Sequence, residues 1–401
     1  MKRRLLFLFL NFFCLAQAQI TKGNENQNQP TNVNIHSNAN NNSSNIQLNG
    51  VMVLDSVKVE PTEKLNEELI SSKKNKLKSE SSKDREEAKI QQKQIVSSKF
   101  VATKAVSTTQ CTQRTPTPAM QASMDEQVQE LKELDSSSFE YNLYNYSSGN
   151  YNVEREPSLK KAEKMQPLHK EVVKYNVANA IVKGDTVNAK KYLQQFTEQQ
   201  QITSESILYT QDVLVSSTDN TTLITHGLQD TYGALENQMN YAKAQQTDII
   251  SLDFMQSESY RNLLKDKGYF VPLSSEVNVG FLQNFVEMNP SKRIALSLTI
   301  PKEYFEPLKS NLYLSGLVFE YRKSAPDNTY VKLEDFWYNR FNKKILDMNT
   351  VYANKYAANY LPTVLYLKEY YERNNNSLRL QEMNRAYESI GIKTGKIKKK
   401  N

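Results

Sequence analysis

Cysteine, histidine and glycine are scarce in this chain, and each shortage removes a class of explanation. Of the two cysteines in 401 residues, Cys14 lies in an N-terminal apolar run that reads as a removable leader. The remainder keeps Cys111 alone, so no internal disulfide forms and packing must stabilise the fold. Three histidines, with His36 in an Asn-rich stretch, exclude a histidine-rich metal site. Eleven glycines, against average usage of about 7%, argue against a loop-dense β-sandwich and for helices. No Gly-x-Ser-x-Gly elbow, phosphate loop, Gly-x-Gly-x-x-Gly turn or His-Glu-x-x-His pair occurs. No cofactor or metal is therefore expected. No apolar run reaches the ~20 residues of a membrane-spanning helix, so the mature chain should have no transmembrane segment. The apolar content is 38%, below the usual ~45–50%, and the deficit falls in the first third. The core must lie C-terminally.

The strongest positive signal is at the start. Lys2, Arg3 and Arg4 precede an apolar run over residues 5–15 and the small-x-small site Ala16-Gln17-Ala18. Residues 1–18 thus read as a secretory signal peptide, and the protein as exported, to the periplasm or peripheral to the outer membrane. Removing those three cations lowers the formal charge of +7 by three, to +4. That mild bias gives no reason to expect nucleic acid as a partner. Lys393, Lys396, Lys398, Lys399 and Lys400 form a basic tail, read as a solvated terminus or as a contact with anionic lipid or polymer.

Residues 19–118 read as a disordered lead. Asn, Gln and Ser dominate as far as residue 49 and leave too little apolar surface to offset ordering entropy. The patch at 51–59 is strand-prone, residues 60–98 suit an isolated helix, and Thr115-Pro116-Thr117-Pro118 reads as an extended spacer. From residue 119 the pattern becomes that of an α/β protein with helical repeats. Met124, Val128, Leu131 and Leu134 recur at helical spacing, and helices are predicted over 157–165, 169–183, 186–198 and 204–213. Residues 119–215 therefore form a tetratricopeptide-like region, without a clear ~34-residue period.

Residues 216–332 change rhythm. Predicted strands at 222–225, 248–252, 293–299 and 312–321 alternate with helices at 234–244, 259–267, 277–288 and 302–309. That order implies a small, mostly parallel, three-layer α/β domain with right-handed crossovers. Residues 333–401 supply aromatic C-terminal helices, among them Phe336, Trp337, Phe341 and Tyr360, expected to pack on the sheet or the helical layer.

The stretch Thr222-Leu223-Ile224-Thr225-His226-Gly227-Leu228-Gln229-Asp230-Thr231-Tyr232 resembles a motif, a strand then Gly-Asp-Asn-Asp-Thr-Tyr/Phe-Pro, in a bacterial membrane family. The motif lies in the soluble C-terminal tail of that poorly characterised family, which is distantly similar to protein O-mannosyltransferases. Similar segments are Asp248-Ile249-Ile250-Ser251-Leu252 with Tyr260 beyond it, Asn289-Pro290-Ser291-Lys292-Arg293-Ile294-Ala295-Leu296, and Leu312-Tyr313-Leu314-Ser315-Gly316-Leu317-Val318-Phe319. The stretch 139–150 resembles the helical-repeat region before that tail, so the likeness spans about residues 120–390 in order. It implies the fold more than the activity: Leu228 and Gln229 stand where the family has Asp-Asn, Gly233 where it has Pro, and no membrane domain accompanies them.

Ligands of open parallel α/β sheets bind beyond the strands' carboxyl ends. By position those ends carry His226, Asp230, Asp253 and Glu258, with Tyr232 beside them. If convergent, His226, Asp230 and Asp253 would suit general acid/base work, with Tyr232 and Glu258 as ligand contacts. The competing reading is that Asp230 caps a helix, His226 bonds to backbone and Asp253 opens a turn. The expected function is accordingly a non-enzymatic exported module that binds or scaffolds another envelope protein. The alternative is a degenerate or unusual glycan-active enzyme with its site at the strand ends.

Overall fold

The computed structural model describes residues 82–217, 220–240 and 247–397. The predicted signal peptide, the Asn-rich stretch and the predicted strand-prone patch at 51–59 lie outside these residues. From Lys89 onward the described chain belongs to one compact unit, which is the unit described below.

Helices begin where the sequence supplies caps. Helix α1 covers Ser82–Thr108, α2 Pro118–Asp135 and α3 Phe139–Ser148. The Thr117 and Ser138 side chains accept from the backbone N–H of Met120 and Tyr141, closing the first turns of α2 and α3. Next come α4 Glu156–Met165, α5 Lys170–Val182, α6 Thr186–Glu198 and α7 Ser204–Ser216. His169, Asp185 and Thr203 cap the last three. Helix α5 buries Val172, Val173, Tyr175, Val177 and Ala178, so its residues face inward all round, as in a central helix.

Two features upstream of residue 119 differ from the expected disordered lead with an isolated helix. Val96 and Phe100, one turn apart on α1, are buried. Phe100 stacks on Tyr144 at 4.5 Å and packs with Met124 and Val128. Further on, Arg114 is buried rather than solvated.

The sheet is five-stranded and mixed, in the order β2-β1-β3-β5-β4. Strand β1, Thr221–Thr225, leads through α8, Leu228–Asn240, to β2, Asp248–Ser251. Helices α9, Glu258–Asp266, and α10, Val279–Met288, then lead to β3, Arg293–Ser297. Strand β1 pairs in parallel with β2 on one side and β3 on the other. All five of its residues are buried, as a central parallel strand requires.

The stretch predicted as one strand over 312–321 is a hairpin of β4, Leu312–Ser315, and β5, Val318–Tyr321. Gly316 has φ +67° while Leu317 stays at negative φ, the pattern of a two-residue II′ turn. Two residues cannot cross over the sheet, so β5 runs antiparallel to β4; β5 is also antiparallel to β3, and only the β2-β1-β3 trio is parallel. The helix expected over 302–309 is instead two 3-10 segments, Lys302–Tyr304 and Glu306–Asn311. Pro307 explains the difference, since it lacks the N–H a continuous helix needs.

The C-terminal helices are α11 Thr329–Asp335, α12 Lys344–Asp347, α13 Val351–Ala357, α14 Leu361–Arg373 and α15 Ser377–Lys393. They return to both layers. Tyr360 Oη donates to Asp212 Oδ2 of α7 at 2.7 Å, and Thr363 Oγ1 donates to the Gly316 carbonyl at 2.7 Å. Among the described residues no helix is long and apolar enough to cross a membrane.

Candidate functional site

From β1 the chain crosses to β2 on one side and returns to β3 on the other, so the connections diverge at the carboxyl ends of β1 and β3. Such a switch point leaves a crevice between diverging loops. His226 and Gly227 follow β1 here, Asp253 follows β2, and Thr299, Glu303 and Tyr304 follow β3. Gly227 has φ +79°, a conformation that favours glycine and turns the chain into α8.

Two carboxylates stitch these ends together. Asp230 Oδ2, on the first turn of α8, accepts from the His226 N–H at 3.2 Å and from Thr299 Oγ1 at 2.7 Å, tying β1 to β3. Asp253 Oδ2 accepts from the Gly227 N–H at 2.6 Å, and its Oδ1 accepts from Arg114 Nε at 3.0 Å. Arg114 also donates to the carbonyls of Gln110 and Thr108, at 3.0 and 2.7 Å, closing the end of α1. The side chains of Arg114 and Asp253 are only 5% and 10% exposed.

Electrostatics separate the three sequence candidates. Burial, reinforced by Asp253, pushes the Asp230 carboxyl up to about 6 despite the bonds it accepts from Thr299 and His226. Burial, helped by Arg114 and Lys355, pushes His226 down to about 4 against the pull of Asp253. Burial opposes charge on Asp253 as well, but Arg114, His226 and the Gly227 N–H outweigh it and hold that carboxyl below its usual value. At neutral pH the trio is thus a neutral imidazole, one firmly ionised carboxylate and one carboxyl whose affinity for protons reaches close to neutrality.

Four buried polar atoms on these diverging segments have no protein partner: His226 Nε2, Asp230 Oδ1, Glu303 Oε2 and Tyr304 Oη. Buried polar atoms are normally bonded, so each is a place for a water or a ligand group. The structure therefore brings together His226, Asp230 and Asp253. It places the other two candidates elsewhere. Tyr232 lies in the core, 5.1 Å from the Phe196 ring, with Oη donating to the Lys174 carbonyl at 3.1 Å. Glu258 is exposed on the first turn of α9. Among the described residues no group of three or more His, Cys, Asp or Glu side chains could hold a metal.

The sequence did not point to Arg114, Thr299, Glu303 or Tyr304. For Arg114 a signal existed: it is the only charged residue between Lys104 and Asp125.

A second feature lies on the surface. In the loop 268–276, Tyr269 and Val271 are buried while Phe270 and Leu273 are 65% and 96% exposed. The loop is held at both ends. Phe270 and Asn289 exchange two bonds, N–H to Oδ1 at 2.9 Å and Nδ2–H to O at 2.8 Å. Val277 N–H donates to Thr115 Oγ1 at 2.8 Å, and its carbonyl accepts from the Arg114 N–H at 2.6 Å. Two large apolar side chains are thereby presented to water from an anchored backbone.

No family model matches the chain, and neither a curated protein nor a solved structure is significantly similar to it.

Proposed function

We propose that this chain is a non-enzymatic exported envelope protein that binds another envelope protein, and that Phe270 and Leu273 form the contact. The anchored loop carries the reading. Side chains of this size gain about 1.5–3 kcal/mol on full burial, and a loop already ordered in the free protein forfeits little entropy on docking. The switch-point chemistry is consistent with a binding role, because Asp253 and Arg114 are spent on holding the strand ends. The leader supports a location in the periplasm or peripheral to the outer membrane. The α5–α6 hairpin supports a tetratricopeptide-like reading of the helical layer, and the crossovers around β1 support kinship with the soluble tails of the membrane family.

The test is in-cell crosslinking of the tagged chain, comparing wild type with Phe270→Ser/Leu273→Ser. Loss of one stoichiometric envelope partner in the variant, with unchanged folding, supports the reading. An identical partner profile removes the loop from it.

One observation favours a second reading, that of a glycan-active enzyme. A carboxyl poised at about 6 beside a neutral imidazole, each with an unpartnered buried atom, is suited to moving a proton near neutral pH. Turnover of an envelope glycan that Asp230→Asn abolishes without unfolding the chain would establish it.

A further inference from the structure

The opposite end of the sheet, where β1 and β3 begin and β5 ends, holds a cavity of about 350 Å³ with an unusual charge arrangement. Its lining carries Lys292, Arg293, Arg322 and Lys323 against one carboxylate, Glu320. These cations come as two dipeptides at the paired ends of neighbouring antiparallel strands, Lys292-Arg293 where β3 begins and Arg322-Lys323 just past the end of β5. Ile294 pairs with Tyr321 as the last pair of that ladder, so both dipeptides lie at the same end of the sheet. Like charges gathered there repel one another.

Glu320 does not balance them. Its Oε2 accepts from Arg322 Nε at 2.6 Å and its Oε1 from Lys332 Nζ at 2.7 Å, so one carboxylate already serves two cations. Lys292 Nζ stands 4.5 Å above the Tyr269 ring, a contact that holds the ammonium in place without neutralising it. Lys292, Arg293 and Lys323 have no carboxylate partner among the described residues. The exposed Ser291 adds a hydroxyl at the rim.

We propose that this cavity binds a phosphate monoester. A dianion with three terminal oxygens matches the guanidinium fork of Arg293 and the two point-like ammonium groups of Lys292 and Lys323 better than a single carboxylate does. The volume leaves room for a glycerol- or sugar-sized group on the phosphate. The site lies at the amino ends of the parallel strands, away from the switch point, and does not depend on the role of Phe270 and Leu273. The phosphate could belong to a soluble phosphorylated polyol or to a lipid headgroup, and the two sources have different probes.

The experiment titrates the mature full-length chain with inorganic phosphate, glycerol 1-phosphate and vesicles containing phosphatidic acid. Binding is read by calorimetry or vesicle sedimentation at two salt concentrations. Arg293→Gln/Lys323→Gln is the test variant: both side chains are exposed, so the fold should persist. Its melting temperature without ligand should equal or exceed that of wild type, because two of the four cations lining one cavity are removed. The expected result is binding that weakens with salt and falls at least about tenfold in the variant. A soluble phosphate monoester that binds identifies a free ligand, and binding to vesicles alone identifies a headgroup. No binding in any arm, or binding that the variant leaves intact, overturns the proposal.

Discussion

Arg114 Nε lies 3.0 Å from Asp253 Oδ1, joining positions 139 residues apart in a pair almost closed to water. One partner comes from the segment after α1, the other from the end of β2. The bond fastens the N-terminal helix to the edge of the parallel trio, directly beside the switch point.

The pair should therefore behave as a structural clasp. Arg114→Met leaves Asp253 buried without its counter-ion, and we expect a loss of about 3–5 kcal/mol in urea denaturation. Asp253→Asn should cost a comparable amount, because it leaves the buried Arg114 guanidinium without its counter-ion even though an amide oxygen still accepts from the Gly227 N–H. The double variant should lose less than the sum of the two, because no unpaired charge remains. Additive losses would mean that the two side chains do not act together.

His226 and Asp230 should tilt stability in opposite directions over one pH window. Asp230 holds its proton up to about 6 when folded against 3.8 in the free side chain, so between those values the native state binds more protons and stability falls as pH rises. His226 titrates near 4 when folded against 6.5, so the unfolded chain binds more protons and stability rises with pH. Relative to wild type, the melting temperature of Asp230→Asn should slope upward from pH 4 to 6, and that of His226→Gln downward. Profiles parallel to wild type would contradict the assignment.

Lys104 gives a separate alkaline signature. Its half-buried ammonium donates to the Ser147 carbonyl at 3.0 Å and to Asn150 Oδ1 at 2.7 Å. Burial first, then Lys174 and Arg155, push it down to about 7 from 10.5. Between those values the unfolded chain binds the extra proton, so stability should rise with pH above about 7. Lys104→Met should flatten that rise. A slope that persists in the variant would place its origin elsewhere.

At Gly316 the sheet's hairpin turn comes close against Ser216 of α7. A Cβ there would stand 2.4 Å from Ser216 Oγ, on a backbone already at φ +67°. Ser216 Oγ also accepts the Leu317 N–H at 2.8 Å, so it has little freedom to move aside. We expect Gly316→Ala to cost roughly 1–3 kcal/mol or more, read from the denaturation midpoint. A neutral effect would show that the turn relaxes freely.

What the sequence made legible was mostly local. The helix predicted over 186–198 is α6, Thr186–Glu198, because Asp185 caps it and its apolar positions keep one face. The strand-helix-strand run from β1 to β2 was readable from the change of period at Thr222 and Asp248. The 312–321 hairpin was hidden because the second turn residue, Leu317, is apolar and continues the run into Val318 and Phe319, leaving Ser315-Gly316 as the only turn signal. From sequence, helix α1 reads as a solitary one because its packing rests on few positions, Val96 and Phe100 foremost. For the candidate site, the strand-end rule found His226, Asp230 and Asp253. It could not reveal that an arginine 139 positions away would occupy one of them.

The most direct test of the central claim is a photo-crosslinkable residue placed at Leu273 in living cells, with the exposed Glu258 as control site. The account predicts one discrete envelope-protein adduct from position 273 and none from 258. Equal labelling from both sites, or none from 273, would contradict a docking role for this loop.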